Sequence, residues 1–211
     1  MVKYQRCGLV KLQEAEGLQY QILSLSSLIA FYLIYIGKMI AQKKKGIQTD
    51  HIAKGEKKDT LMTVEIVMKI ATYSIVAVEV ASIVLNSYVL SPTIRIFGIL
   101  IGFTGVIIFG IAVYTMKDSW RAGIPDNDKT TMVTNGIYSI SRNPAFVGFY
   151  LSYIGILLTF FNWVLLAFTI FSIMLLHFQV LKEEEYLPMV FENDYIIYKK
   201  QVDRCIGRKR A

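Results

Sequence analysis

Three short stretches hold most of the residues able to do chemistry. Val133 to Gly148 reads VTNGIYSISRNPAFVG and sets Arg142 and Asn143 directly before Pro144, where a hydrophobic run begins. Thr134-Asn135-Gly136 has the composition of a turn. Asn caps free backbone N–H groups, and Pro suits the first helical position because it has no N–H to leave unpaired. The stretch therefore predicts a shaped polar loop on the mouth of a membrane helix. The second stretch, Lys182-Glu183-Glu184-Glu185, lies at the far end of the helical hairpin that this helix opens. Antiparallel helices return both stretches to one face and set carboxylates beside Arg142. The third, Ser119-Trp120-Arg121, follows the end of a span. It reads either as an interfacial anchor or as an anion clamp, because a guanidinium grips a carboxylate in a two-pronged geometry that Lys lacks. Arg121 is the candidate catalytic residue.

The elements that position these residues are membrane helices. The chain has 211 residues, 54% of them hydrophobic and 18% charged, with a mean hydropathy of +0.45. That is too apolar and too sparsely charged for an ordinary soluble domain. A span takes about 20 largely apolar residues, and five segments qualify or nearly so: 18–40, 62–90, 94–116, 144–161 and 162–181. The expected fold is all-α, a single membrane domain over residues 1–211 with a tail at 182–211. The last two spans are divided only by Phe160-Phe161-Asn162-Trp163, which predicts a tight hairpin with an aromatic anchor at its turn. No cleavable signal peptide is legible, so the first span is expected to insert uncleaved.

Basic residues concentrate on alternate loops. Lys43, Lys44, Lys45, Lys54, Lys57 and Lys58 lie in the first loop, Lys117, Arg121, Lys129 and Arg142 in the third, and Lys199, Lys200, Arg204, Arg208, Lys209 and Arg210 in the tail. The second loop has only Arg95 at its edge. The expected topology puts the N-terminus outside and the C-terminus with all three special stretches in the cytoplasm, at the cell membrane if the chain is prokaryotic. An anionic leaflet accounts for the net charge of +7 without nucleic acid.

Other patterns mostly exclude. Cys7 and Cys205 form no C-x-x-C pair, and His51 and His177 stand alone, so no metal is expected. No G-x-G-x-x-G follows a strand, which excludes a soluble dinucleotide domain. Gly98, Gly102 and Gly105 predict close helix packing, within the chain in preference to across a dimer. Glu65 and Lys69, four apart, suggest an ion pair. Glu79 lies inside the second span, either as a polar packing contact or as a substrate contact.

The arrangement N-G-x-Y-x-x-x-R-N-P-x-F-x-G at 135–148, then a short hairpin, then E-E-x-x-L-x-x-x-F-x-x-x-Y-x-x-Y-x-x-x-V at 183–202 resembles the isoprenylcysteine carboxyl methyltransferase family and its phospholipid methyltransferase relatives. The resemblance covers roughly the C-terminal half. It implies a membrane enzyme using S-adenosylmethionine, held by Gly136, Tyr138, Arg142, Asn143, Pro144, Phe146, Glu183, Glu184 and Tyr198. Arg142 and the helix N-terminus at Pro144 would take the cofactor's carboxylate, Glu183 and Glu184 its ammonium or ribose hydroxyls, and Tyr138, Phe146 and Tyr198 would wall the adenine. The family pattern R-H-P-x-Y stands here as Arg142-Asn143-Pro144-Ala145-Phe146, so a role needing an imidazole proton or that tyrosine hydroxyl has no bearer.

Pro188 predicts that the last helix stops near Leu187, leaving the Glu run where the helix dipole disfavours it by about 0.3–1 kcal/mol each. The expected activity is carboxyl O-methylation of an isoprenylcysteine-like, lipid-linked acceptor in the bilayer, with Arg121 orienting the acceptor carboxylate. The alternatives are N-methylation of a phospholipid amine, an NADPH-dependent membrane reductase, and a non-catalytic membrane protein.

Overall fold

A computed structural model describes residues 2–52, 59–122 and 130–208. Five helices follow in chain order: α1 Val2–Lys44, α2 Asp59–Val84, α3 Pro92–Met116, α4 Pro144–Thr159 and α5 Trp163–Gln201. Among the described residues no strand forms, and β-pairing is limited to the isolated bridges Asp50–Ala122 and Val202–Arg208. Ala15–Lys44, Glu65–Val84, Pro92–Ser119 and Trp163–Gln201 are long and apolar enough to cross a membrane, and Pro144–Thr159 is a shorter apolar helix. The chain is an all-α integral membrane protein. Lys54, Lys57, Lys58, Lys129, Lys209 and Arg210, which enter the charge count, lie outside the described residues.

The centre of the bundle is the α3–α4 pair. A methyl group built on Gly155 would fall 2.5 Å from the Gly102 Cα, and one on Gly105 2.7 Å from the Gly148 carbonyl oxygen. Two helix backbones are therefore in contact, as the G-x-x-x-G spacing predicts, and the partner is α4 of the same chain. Residues with no Cβ allow this approach, which substitutes for a hydrophobic driving force that the bilayer does not supply. The fully buried Phe109 stacks on Phe31 of α1 at 4.3 Å between ring centroids, tying α1 to the pair. α2 runs chiefly along α5, and α4 lies chiefly against α3. The last two helices are thus neighbours, but each finds its main partner elsewhere.

Several helix ends differ from the sequence reading. α2 stops at Val84 and not near Leu90, because Asn86 adopts a left-handed backbone (φ 47°) and Gln21 Nε2 donates to the last carbonyls, those of Ile83 and Val84, at 2.7 and 3.0 Å. At the α4–α5 turn, Phe160 is fully buried and is no interfacial anchor. Trp163 is the exposed aromatic there, while Asn162 caps α5 by accepting from the Leu165 N–H at 2.9 Å.

Pro188 does not end α5. A proline removes one backbone hydrogen bond and crowds one carbonyl, and the helix absorbs both for another turn until Glu192, whose φ of 48° and ψ of −127° break it. The Glu run consequently sits within the helix, away from the end where its dipole disfavours negative charge.

Candidate active site

The polar loop, the Glu run and the tail meet at the end of the bundle where α3 stops and α4 starts. Glu184 is the hub. Its side chain is 3% exposed and accepts from Arg142 Nη2 at 3.0 and 3.2 Å, from Arg204 Nη2 at 3.0 Å and from Asn143 Nδ2 at 3.0 Å. Burial alone would raise the Glu184 carboxyl, but the Arg204 hydrogen bond, the charges of Arg142 and Arg204, and the Asn143 contact outweigh it and hold the group below the ordinary glutamate value. The same hydrogen bond to Glu184 raises the Arg204 guanidinium. One carboxylate between two guanidiniums leaves a positive charge over. Asn143 makes no side-chain capping contact, contrary to the sequence reading, because its amide is spent on Glu184.

The tail closes this cluster through its backbone. Arg142 N–H donates to the Asp203 carbonyl at 3.0 Å, Asn143 N–H to the Arg204 carbonyl at 3.2 Å, and Gly207 N–H to the Ile140 carbonyl at 2.8 Å. The break at Glu192 lets the chain turn back, so that Tyr195 and Tyr198 are buried under the loop. Burial pushes the Tyr198 phenol up to about 12, and the protonated hydroxyl donates to the Tyr138 carbonyl at 2.6 Å. Gly136 (φ 59°) provides the left-handed turn that brings Tyr138 inward.

Beside this cluster opens a cleft of about 130 Å³. Arg121, Tyr138, Arg142, Asn143, Glu183 and Tyr198 line it, together with the apolar Met116, Met132, Leu187, Val190 and Phe191. Four buried polar atoms around the cluster have no hydrogen-bond partner: Arg142 Nε, Arg204 Nε and the hydroxyls of Tyr195 and Tyr150. Each can donate, so this region fits an added anion or acceptor.

Trp120 is no interfacial anchor. It is 4% exposed and packs edge-on to Tyr35 and Phe109, at 5.5 and 6.2 Å between centroids. That contact fixes the backbone under Arg121, whose Nη1 donates to the carbonyls of Asp118 and Trp120 at 2.6 and 2.9 Å.

Six of the ten candidate residues therefore share the cleft wall, and Glu184 stands directly behind it. Gly136 acts through its turn, Pro144 is buried as the first residue of α4, and Phe146 packs with the Met68, Ile75, Tyr153 and Leu176 cluster away from the cleft. Glu183 accepts from Gln179 Nε2 at 3.0 Å, and Glu185 pairs with Lys182 at 2.7 Å. Lys69 reaches Asp50 Oδ2 at 3.5 Å. Sequence reasoning missed Arg204, Tyr195, Tyr150 and the 130–133 wall. Tyr195 carried a signal, the Y-x-x-Y pair with Tyr198; Arg204 carried none beyond its charge.

Among the described residues no cluster of His, Cys, Asp and Glu is arranged to hold a metal. A family profile described as phospholipid methyltransferase matches residues 86–194, from the loop before α3 to just short of Tyr195. That family is related to the isoprenylcysteine carboxyl methyltransferases. No curated protein is similar enough to match the chain.

Proposed function

Because this chain belongs to the phospholipid methyltransferase family and is thereby a membrane methyltransferase, we propose that it moves a methyl group from S-adenosylmethionine to the polar head of a lipid-borne acceptor. The observation that carries this reading is the cleft wall, where Arg121, Arg142 and Glu183 adjoin Leu187, Val190 and Phe191. Charged groups able to hold a zwitterionic cofactor thus sit next to apolar surface able to receive a lipid.

The buried, unpartnered donors Arg142 Nε and Tyr195 hydroxyl fit the cofactor's carboxylate. Glu183 would accept from its ammonium group, and Tyr138 and Tyr198 would wall its purine. When bound, the cofactor supplies a methyl group on a positively charged sulfur that is a good leaving group. Arg121 would orient an acceptor carboxylate, which needs no general base because it is already ionised. Positioning of this kind can contribute several kcal/mol, and the apolar wall would help to exclude water from the acceptor. Lys and Arg placement supports a cytoplasmic cleft, with the N-terminus outside.

The family description and Glu183 favour a second acceptor, the amine of a phospholipid. An ammonium must lose a proton before it can attack, and Glu183 is the carboxylate on the wall able to take it. Incubating the purified protein with methyl-labelled S-adenosylmethionine and either S-farnesylcysteine or phosphatidylethanolamine separates the two. Base-labile methyl ester on the first supports the carboxyl reading, and base-stable label on the second supports the amine. Label on neither, nor on total lipid, removes both.

A further inference from the structure

A second polar site lies inside the bundle and shares no lining residue with the cleft. Ser27 and Tyr32 of α1, Glu79 of α2, Val106 of α3, and Ser152 and Tyr153 of α4 line a small cavity with Leu28, Phe31 and Ile156. Its volume is about 10 Å³, at the lower edge of the roughly 10–15 Å³ that holds one water molecule. Three buried oxygens on this lining have no partner, both carboxyl oxygens of Glu79 and the hydroxyl of Ser152, while the hydroxyls of Tyr32 and Tyr153 have only each other. Glu79 is fully buried, and Tyr153 and Ser152 are 2% and 8% exposed.

We propose that this cavity is a site for a single internal water, held by the neutral carboxylic acid of Glu79 and the hydroxyls of Tyr32, Ser152 and Tyr153. Three considerations lead there. Cavities that stay empty are apolar, whereas this one is ringed by oxygens in need of partners. A water both donates and accepts, which hydroxyls and a protonated acid can reciprocate. The lining includes no Lys, Arg or His, and a buried carboxylate without a cation is far more costly than the neutral acid. The water would then join α2 to α1 and α4 inside the membrane. This also gives Glu79 a role apart from the cofactor cleft.

The test uses the purified full chain in detergent, with Glu79→Gln and Glu79→Leu variants. Infrared spectra at neutral pH should show a protonated-acid C=O band that Glu79→Gln removes, and a water O–H band that shifts in H₂¹⁸O and vanishes in Glu79→Leu. Glu79→Gln keeps a donor and an acceptor, so its melting temperature should stay within a few degrees of the wild type, while Glu79→Leu should melt several degrees lower. Absence of the exchangeable water band in the wild type overturns the proposal, even if Glu79→Leu fails to fold. A melting temperature that rises with sodium over choline, together with a carboxylate band in place of the acid band, overturns it in favour of a cation site.

Discussion

Glu184 and Arg121 take different parts in the site, one inside the ion cluster and one on the cleft wall. Glu184 is buried and answered by Arg142, Arg204 and Asn143 at 3.0 Å each, so replacing it by Gln leaves two guanidiniums facing a neutral amide. Breaking a buried pair costs roughly 3–5 kcal/mol, and the part-exposed Arg204 points to the lower end. A fall of that order in unfolding free energy in detergent is the expected result. The pH sign follows from the lowered Glu184 carboxyl: its stabilisation is complete above the unfolded value near 4.3 and is lost as pH falls through the lower folded value. Wild-type stability should therefore drop at acid pH, and Glu184→Gln should lack that component of the drop. Arg121 Nη1 donates to the carbonyls of Asp118 and Trp120, and the side chain lines the cleft. Arg121→Lys is expected to lower turnover of a carboxylate acceptor on the order of tenfold to a hundredfold, the worth of one charged hydrogen bond, while S-adenosylhomocysteine binding survives. Unchanged turnover would remove Arg121 from the reaction. The Arg142–Glu184 meeting was legible in the sequence because hairpin geometry returns both ends to one face. Arg204 was not, since its approach depends on a backbone turn at Glu192 that no residue preference announces.

At the scale of elements, the glycine spacing of α3 was the most informative local signal. Gly155 is the sharpest test of it, because a Cβ there meets Gly102 Cα and N at 2.5 Å, backbone atoms that cannot rotate away. Gly155→Ala should cost about 1–3 kcal/mol by forcing the helices apart. Gly110→Ala, on the same α3 helix but facing only Ile34 Cδ1 at 3.4 Å, should be near neutral or slightly stabilising. Equal effects in thermal unfolding would show that the contact is not specific. Helix ends were less legible. Pro188 is a strong stop signal on a local scale, yet α5 continues because Tyr195, Tyr198 and Val202 form a buried cluster beyond it. Tertiary burial overrode the local preference. Asn86 ended α2 early through a left-handed turn, and the apolar run through Leu85, Val89 and Leu90 around it read as continuing the span.

At the scale of the whole molecule, hydropathy alone gave the membrane class and five apolar helices, since the bilayer admits few alternatives. It did not give the partners of those helices. The α4–α5 hairpin that chain order suggested is present, but the small-residue faces set α4 chiefly against α3, and α5 lies chiefly along α2. That arrangement draws the start of α4 and the C-terminal part of α5 together with the tail, and so builds the cleft. Binding of S-adenosylmethionine in this cleft is tested most directly by equilibrium binding of S-adenosylhomocysteine to the purified protein, with NADPH in parallel and Tyr195→Phe as the variant. Loss of one hydroxyl donor to an anion should weaken binding roughly tenfold or more. Micromolar binding by the wild type, weakened in the variant and not matched by NADPH, is the predicted result; a folded protein that binds NADPH alone, or neither ligand, would contradict it.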